Sequence, residues 1–374
     1  LLTSQARISG KPAVHVLVVA VGRYPHLENG KGPKLPSTGG LGQLSSPPVS
    51  ATALCDWLLK KFAPKARELG SIEVLSSGTT KFTDEAGAPC KVKPATLANV
   101  QEAAQAWYTR ANANPDNLLL FYFCGHGVSS GDVHSLLLED FGAKPLDPFN
   151  SGAIDAEAFM DGLLCRCEAR SQLFLFDACR TVDHQSFGNL GPQRGIPIVS
   201  GGTHNNLGTT QQACLWATQL GTSAFGRKNR ESVFMEAMLK AMSGAGCMQD
   251  PNDASWVIQP DMLKRGIDVF VQRAMGFAAQ YVTVDRLAEG FPLHVLPGEP
   301  ILPVKVICKP APLLSQRELR CSSGDVRPVG PPEPWYLDLP NNQYLFEAVA
   351  PGNGVVASRT QHTTPPLTVV SLSE

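Results

Sequence analysis

Apolar residues recur in this chain in two rhythms. His15–Val21 (HVLVVAV), Ser71–Leu75 (SIEVL), Asn117–Cys124 (NLLLFYFC), Gln172–Cys179 (QLFLFDAC) and Ala213–Thr218 (ACLWAT) are short runs, most of them nearly unbroken in apolar residues. Such runs predict strands covered on both faces. Between them, Val49–Phe62, Ala95–Ala111 and Ile154–Glu168 carry apolar residues at three- and four-residue spacing, and Ser232–Met242 and Met262–Met275 repeat that pattern. These predict amphipathic helices. His134–Phe141 reads as a short extra strand in a hairpin above the third run. Alternation of strand and helix predicts an α/β fold, a mostly parallel sheet of five or six strands flanked by helices.

Two stretches break the rhythm. Val182–Gln212 is glycine-rich and aperiodic, and a connection of that length inside a domain is usually functional or unstructured. From Pro297 onward prolines crowd the chain and helical spacing disappears. Leu302–Cys308, Trp335–Leu339, Tyr344–Val349, Gly354–Ser358 and Leu367–Leu372 there read as short strands between turns. The expected division is an N-terminal segment 1–12, a main α/β domain 13–297 and a small all-β, sandwich-like accessory module 298–374.

Composition narrows the classes. With 374 residues, 43% hydrophobic and 17% charged, the chain can bury a substantial core. A net charge of -1 argues against a broad nucleic-acid-binding surface. No apolar run approaches the roughly 20 residues of a membrane helix, and Leu1–Lys11 lacks the apolar stretch of a signal peptide. Cys55, Cys124, Cys165, Cys179 and Cys214 lie in apolar surroundings and read as reduced thiols, so a cytoplasmic location is expected. Cys165-Arg-Cys167 has no matching Cys or His pair at zinc-site spacing, and we expect no metal or cofactor.

The candidate chemistry lies at two strand ends. The third strand ends in Cys124-Gly-His126-Gly127 and the fourth in Asp177-Ala-Cys179-Arg180. In a parallel sheet these ends share one edge, where open α/β folds place their sites. A Cys beside a His is what a thiol nucleophile needs, since the imidazole takes the thiol proton and later protonates the leaving amine. Gly127 allows close backbone approach, and its N–H with that of Cys179 would form an oxyanion hole. Singly, a Cys at a strand end is an ordinary buried thiol and Gly-His-Gly an ordinary turn. The combination carries the argument.

With these motifs about 50 residues apart, the chain resembles the caspase-like cysteine peptidases, the superfamily of caspases, metacaspases and bacterial caspase-like peptidases. The resemblance runs over roughly Ala13–Pro297, with Glu231-Ser-Val-Phe-Met-Glu-Ala-Met-Leu similar to the helix after the fifth strand and Val49–Leu59 to the first helix. It implies a caspase-hemoglobinase fold, Cys179 as nucleophile, His126 as general base and acid, Gly127 in the oxyanion hole, and a protein substrate. Caspases carry Gln and Gly two residues before and after the nucleophile, where this chain has Asp177 and Thr181. In metacaspases an acid at the Asp177 position helps bind a basic P1 residue, so Arg over Lys is expected at P1. The second acid of that pocket is replaced by Ser50. By resemblance, Thr218 and Gln219 flank extended substrate, and Arg194, before Gly195, is a candidate self-processing site. Trp216 reads as core. His15, His134 and His204 have no partner at metal spacing, Arg227–Arg230 reads as a solvated basic loop, and no calcium loop is recognisable. The expected activity is a regulated effector endopeptidase, with the β module engaging an activating protein. A catalytically silent scaffold and a thiol acyltransferase are the alternatives.

Overall fold

The computed structural model describes residues 1–3, 11–78, 80–130, 132–180, 194–201, 209–218, 226–275, 282–287, 290–352 and 354–374. Its centre is a six-stranded sheet: β1 (Ala13–Val21), β2 (Glu68–Ser77), β3 (Leu118–Gly125), β4 (Ser171–Ala178), β5 (Gln211–Trp216) and β6 (Thr283–Asp285). The spatial order is β6-β5-β4-β3-β1-β2. Strands β1 to β5 run parallel, and β6 pairs antiparallel with β5.

The unbroken apolar runs follow from burial on both faces. In β1, Val14, Val16, Val18 and Ala20 enter one core, while Leu17, Val19 and Val21 enter the other. In β3, Leu118, Leu120, Tyr122 and Cys124 face the first core, and Leu119, Phe121 and Phe123 the second. Side chains alternate across a pleated strand, so a strand between two helical layers needs apolar residues at every position.

Three helices cover the first face: α1 (Ser46–Lys60), α5 (Val233–Ala241) and α6 (Pro260–Met275). Leu54, Leu58, Phe234, Met238, Leu263 and Ile267 are their buried contributions. The second face is covered by α2 (Leu97–Ala111) and α4 (Ala156–Arg166), through Val100, Trp107, Phe159 and Leu163. A one-turn helix, α3 (Pro148–Gly152), precedes α4. Helix α1 opens with Pro47-Pro48, placed where the missing N–H groups have no intrahelical partner.

Some boundaries differ from expectation. The helix expected from Ile154 starts at Ala156, because Ala153–Asp155 pairs with Val133–Leu137 as a short strand. Asp155 then caps α4, its Oδ1 accepting the Ala158 N–H at 2.9 Å. The expected hairpin is present, Gly127–Ser130 with Val133–Leu137, and Ala153–Asp155 makes it a three-stranded sheet.

Beyond Pro300 the chain forms two further sheets. Ile301–Lys309 lies between Trp335–Pro340 and Thr368–Ser373, and Glu318–Cys321 with Gln343–Ala350 centres a four-stranded sheet. Val304, Val306, Leu319, Phe346, Val370 and Leu372 form a core of their own between them. Leu302, at the start of this region, still packs in the main core. The strands Glu318–Cys321 and Val326–Arg327 escape sequence reading because they are short and charge-interrupted. Among the described residues no helix is long and apolar enough to cross a membrane.

Candidate active site

Strand register brings the candidate dyad together. Cys124 lies opposite Asp177 and Gly125 opposite Ala178. One step further along the same register come His126 and Cys179. Gly127 sits directly against the backbone of Cys179, where an added Cβ would fall 2.5 Å from the Cys179 carbonyl oxygen. Gly125 is constrained likewise, since its Cβ would lie 2.7 Å from the Tyr24 hydroxyl. Both glycines of the Cys-Gly-His-Gly turn are therefore required by close approach. Cys179 is half-buried and His126 is 7% exposed.

The imidazole is held from two sides by the segment between β1 and α1. His126 Nε2 lies 2.8 Å from the Gly42 carbonyl oxygen, which can only accept, so Nε2 carries the proton. A neutral ring so bonded has its lone pair on Nδ1. The His126 backbone N–H donates to the Tyr24 hydroxyl at 2.8 Å, and the two rings lie 4.7 Å apart. Tyr24 in turn donates to the Leu137 carbonyl at 3.3 Å. Burial pushes His126 down to about 4, against the pull of the Gly42 carbonyl. At neutral pH the ring is therefore unprotonated and able to accept a thiol proton.

Asp177 lies on the face of the sheet covered by α1 and α5. Its Oδ2 accepts from Ser232 Oγ at 2.5 Å, Tyr122 OH at 3.0 Å and Cys124 Sγ at 3.3 Å. Burial raises its pKa, and these three donors oppose the rise. Ser232 also caps α5, its Oγ accepting the Met235 N–H at 3.0 Å, so the carboxylate sits at the positive end of that helix. The Ser232 N–H donates to Ser50 Oγ at 3.0 Å. Ser50 and Asp177 are thus joined through Ser232, and Ser50 is fully buried.

The residue after the nucleophile is anchored as firmly. Arg180 lies over the Trp216 ring at 4.6 Å and donates to His134 Nε2 at 2.5 Å and Thr283 Oγ1 at 3.2 Å. Because Arg180 stays charged, His134 is neutral with its N–H on Nδ1, bonded to Ser129 Oγ at 2.6 Å. Burial, and then Arg180, hold His134 down to about 4. Trp216 is fully buried and stacks on Phe176 at 4.2 Å, as core.

One expected substrate contact, Thr218, is fully buried; its hydroxyl bonds the Ala178 carbonyl at 3.3 Å and its own carbonyl accepts from Thr283 at 3.1 Å. It braces β4 against β6 instead of lying open beside substrate. Gln219 lies outside the described residues. Arg194 is not on a free loop tip: its guanidinium bonds Asp155 Oδ2 at 2.5 Å, and the next N–H, of buried Gly195, donates to Ser135 Oγ at 2.9 Å. The adjoining Ile196 bridges Ile154. A cut after Arg194 therefore requires this segment to lift off first.

Tyr24, Gly42 and Ser232 are site residues that sequence reading missed. Only Ser232 left a signal, as the start of a predicted helix. Among the described residues, no cluster of three or more His, Cys, Asp or Glu is arranged to hold a metal ion. None of the ten cysteines forms a disulfide.

Comparison with known proteins finds a family match and distant relatives. The family model Peptidase_C14, Caspase domain, matches residues 78–255, a span that includes His126, Asp177 and Cys179. The uncharacterized protein y4kE of Sinorhizobium fredii is 27% identical over 237 residues, 62% of this chain and 67% of that protein. Among solved structures, caspase-1 from Spodoptera frugiperda shares 11% identity with a TM-score of 0.44, covering 79% of this chain and 92% of that one. Protein GSU0716 from Geobacter sulfurreducens shares 13% with a TM-score of 0.43, covering 76% and 98%. The caspase-domain match thus spans the two strand ends that carry His126 and Cys179, and over that span the chain is similar to the caspase-like superfamily.

Proposed function

We propose that the protein is a cysteine endopeptidase with Cys179 as nucleophile and His126 as general base and acid. The observation that carries this reading is the β3–β4 register, which sets His126 and Cys179 side by side while the Gly42 carbonyl holds Nε2. Nδ1 takes the thiol proton as Sγ attacks the scissile carbonyl. The tetrahedral oxyanion is met by the N–H groups of Gly127 and Cys179, a type of contact worth about 2.7–4 kcal/mol per donor. Collapse breaks the C–N bond, and the proton on Nδ1 passes to the departing amine. Water, losing its proton to Nδ1, then hydrolyses the thioester, releasing the carboxylic acid and restoring the thiol. The substrate is a protein, and no metal or organic cofactor enters these steps.

Asp177 supports a basic P1 residue, Arg over Lys. A guanidinium would add a charge-assisted bond to a carboxylate whose charge is already supported by Ser232, Tyr122 and the start of α5. Labelling with acyloxymethyl ketone peptides carrying Arg, Lys or Asp at P1 tests both levels. Wild type is expected to label best with Arg, and Cys179→Ala not at all. Labelling that survives in Cys179→Ala would sink the nucleophile assignment. No labelling of a Cys179 that iodoacetamide still alkylates would favour the scaffold reading. Asp177→Asn, which keeps shape and most hydrogen bonds, is expected to reduce Arg-P1 turnover by about ten- to a hundredfold while iodoacetamide alkylation is unchanged. An unaltered P1 preference would make Asp177 a structural acid only. The wider reading is a cytoplasmic, regulated effector protease whose residues 298–374 serve as an accessory module for an activating protein.

A further inference from the structure

Residues 22–45 carry no helix or strand, yet they deliver the Gly42 carbonyl to His126. Backbone bonds between their outgoing and returning halves include Leu44 N–H to Gly22 O at 2.9 Å and Glu28 N–H to Leu41 O at 3.0 Å. Between these two rungs Tyr24 is met from the returning half by a side chain. Gln43 Oε1 accepts the Tyr24 N–H at 2.8 Å, and Gln43 Nε2 donates to Tyr24 O at 2.8 Å and Glu28 O at 2.9 Å. A carboxamide offers the same donor and acceptor as a peptide group, so Gln43 supplies the missing rung. Gln43 thereby links two residues that touch His126: Gly42, its chain neighbour, accepts the Nε2–H bond, and Tyr24 packs on the ring and accepts the backbone N–H of His126. The start of the segment is pinned independently by Arg23, whose Nε donates to Glu139 Oε1 at 2.9 Å.

We propose that Gln43 is a positioning residue for the general base, closing the segment so that the Gly42 carbonyl fixes His126 as the Nε2–H tautomer with Nδ1 turned to accept. The proposal rests on the reading of His126 as general base. A side chain that merely tidied a surface loop would leave the tautomer of a ring it never touches unchanged. The test is a long-range ¹H–¹⁵N correlation spectrum at pH 7 of the full chain labelled with ¹⁵N-histidine, with His126→Ala to assign the signal. Wild type is expected to show His126 with Nε2 protonated alone. Gln43→Met keeps length and removes all three bonds, and it should give a mixture with Nδ1–H. Alkylation of Cys179 by iodoacetamide should slow about tenfold or more, as for a reacting group moved out of line. Gln43→Glu keeps the acceptor for Tyr24 N–H but loses both donations, and should shift the spectrum in the same direction. It decides the matter if Gln43→Met does not fold. An unchanged Nε2–H signal in a folded variant overturns the proposal. If Cys179 alkylates no faster than a free thiol while the tautomer still follows Gln43, the peptidase reading fails and the positioning role stands.

Discussion

Cys179→Ala should lower kcat/KM on an Arg-P1 fluorogenic peptide by at least about 10⁴-fold, and His126→Ala by a similar factor. The double variant should be hardly slower than either single one. Nucleophile and base act as one unit: once the thiol is gone there is nothing for Nδ1 to deprotonate, and residual rate comes from binding and the oxyanion donors. The two variants should differ in stability. Cys179 is half-buried, so its truncation to Ala should cost little. Removing the His126 ring leaves the half-buried Gly42 carbonyl without this donor and takes away the Tyr24 contact, which should cost about 1–3 kcal/mol. Steady-state kinetics beside urea denaturation of all three variants separates these effects. Multiplying losses in the double variant, or full activity in either single one, would show that the two residues are not a catalytic pair.

The adjacency of His126 and Cys179 was legible because both follow the most regular part of the chain. Apolar residues at every position of β3 and β4 announce strands covered on both faces, and parallel pairing then forces their C-terminal ends to one edge. His126 and Cys179 inherit their adjacency from that register. The groups that tune them were not legible. Gly42 meets His126 across 84 residues of sequence, from a glycine- and proline-rich segment without period. Gln43 works through backbone atoms of Tyr24, and no residue pattern signals such a contact. Arg194 is exposed, as its Gly-rich and polar surroundings suggested, but its ion pair with the buried acid Asp155 left no sequence signal. Thr218 was read as a surface because it follows a strand, whereas β6 continues the sheet and covers it.

The same burial that keeps His126 neutral makes the fold sensitive to acid. His15, His126, His134 and His294 are all buried, and burial leads the causes that push each from its ordinary 6.5 down to about 4. Each is neutral in the folded protein at pH 5 but protonated in the unfolded chain. Their contribution is complete above pH 6.5 and is lost as pH falls toward 4. Glu157 works in the opposite sense. Burial raises it to about 7 from 4.5, so between those values the folded state holds a proton that the unfolded chain releases. Among these five, four groups take up protons on unfolding and one gives its proton up, a net uptake of about three near pH 5, from which buried Asp177 and Asp140, both raised by burial, subtract. That corresponds to a slope of at most about 4 kcal/mol per pH unit, large against the roughly 5–15 kcal/mol that holds a typical domain together. Urea midpoints should therefore fall only slightly from pH 7.5 to 6.5 and steeply from 6 to 5. Glu157→Gln, which removes the offsetting group, should steepen the slope by about one proton. A stability flat between pH 7 and 5 would show that these histidines are hydrated in solution. The outcome also bears on catalysis. A ring held near 4 remains a competent base down to pH 5, so the acid limb of activity should follow the urea midpoint and not the titration of folded His126.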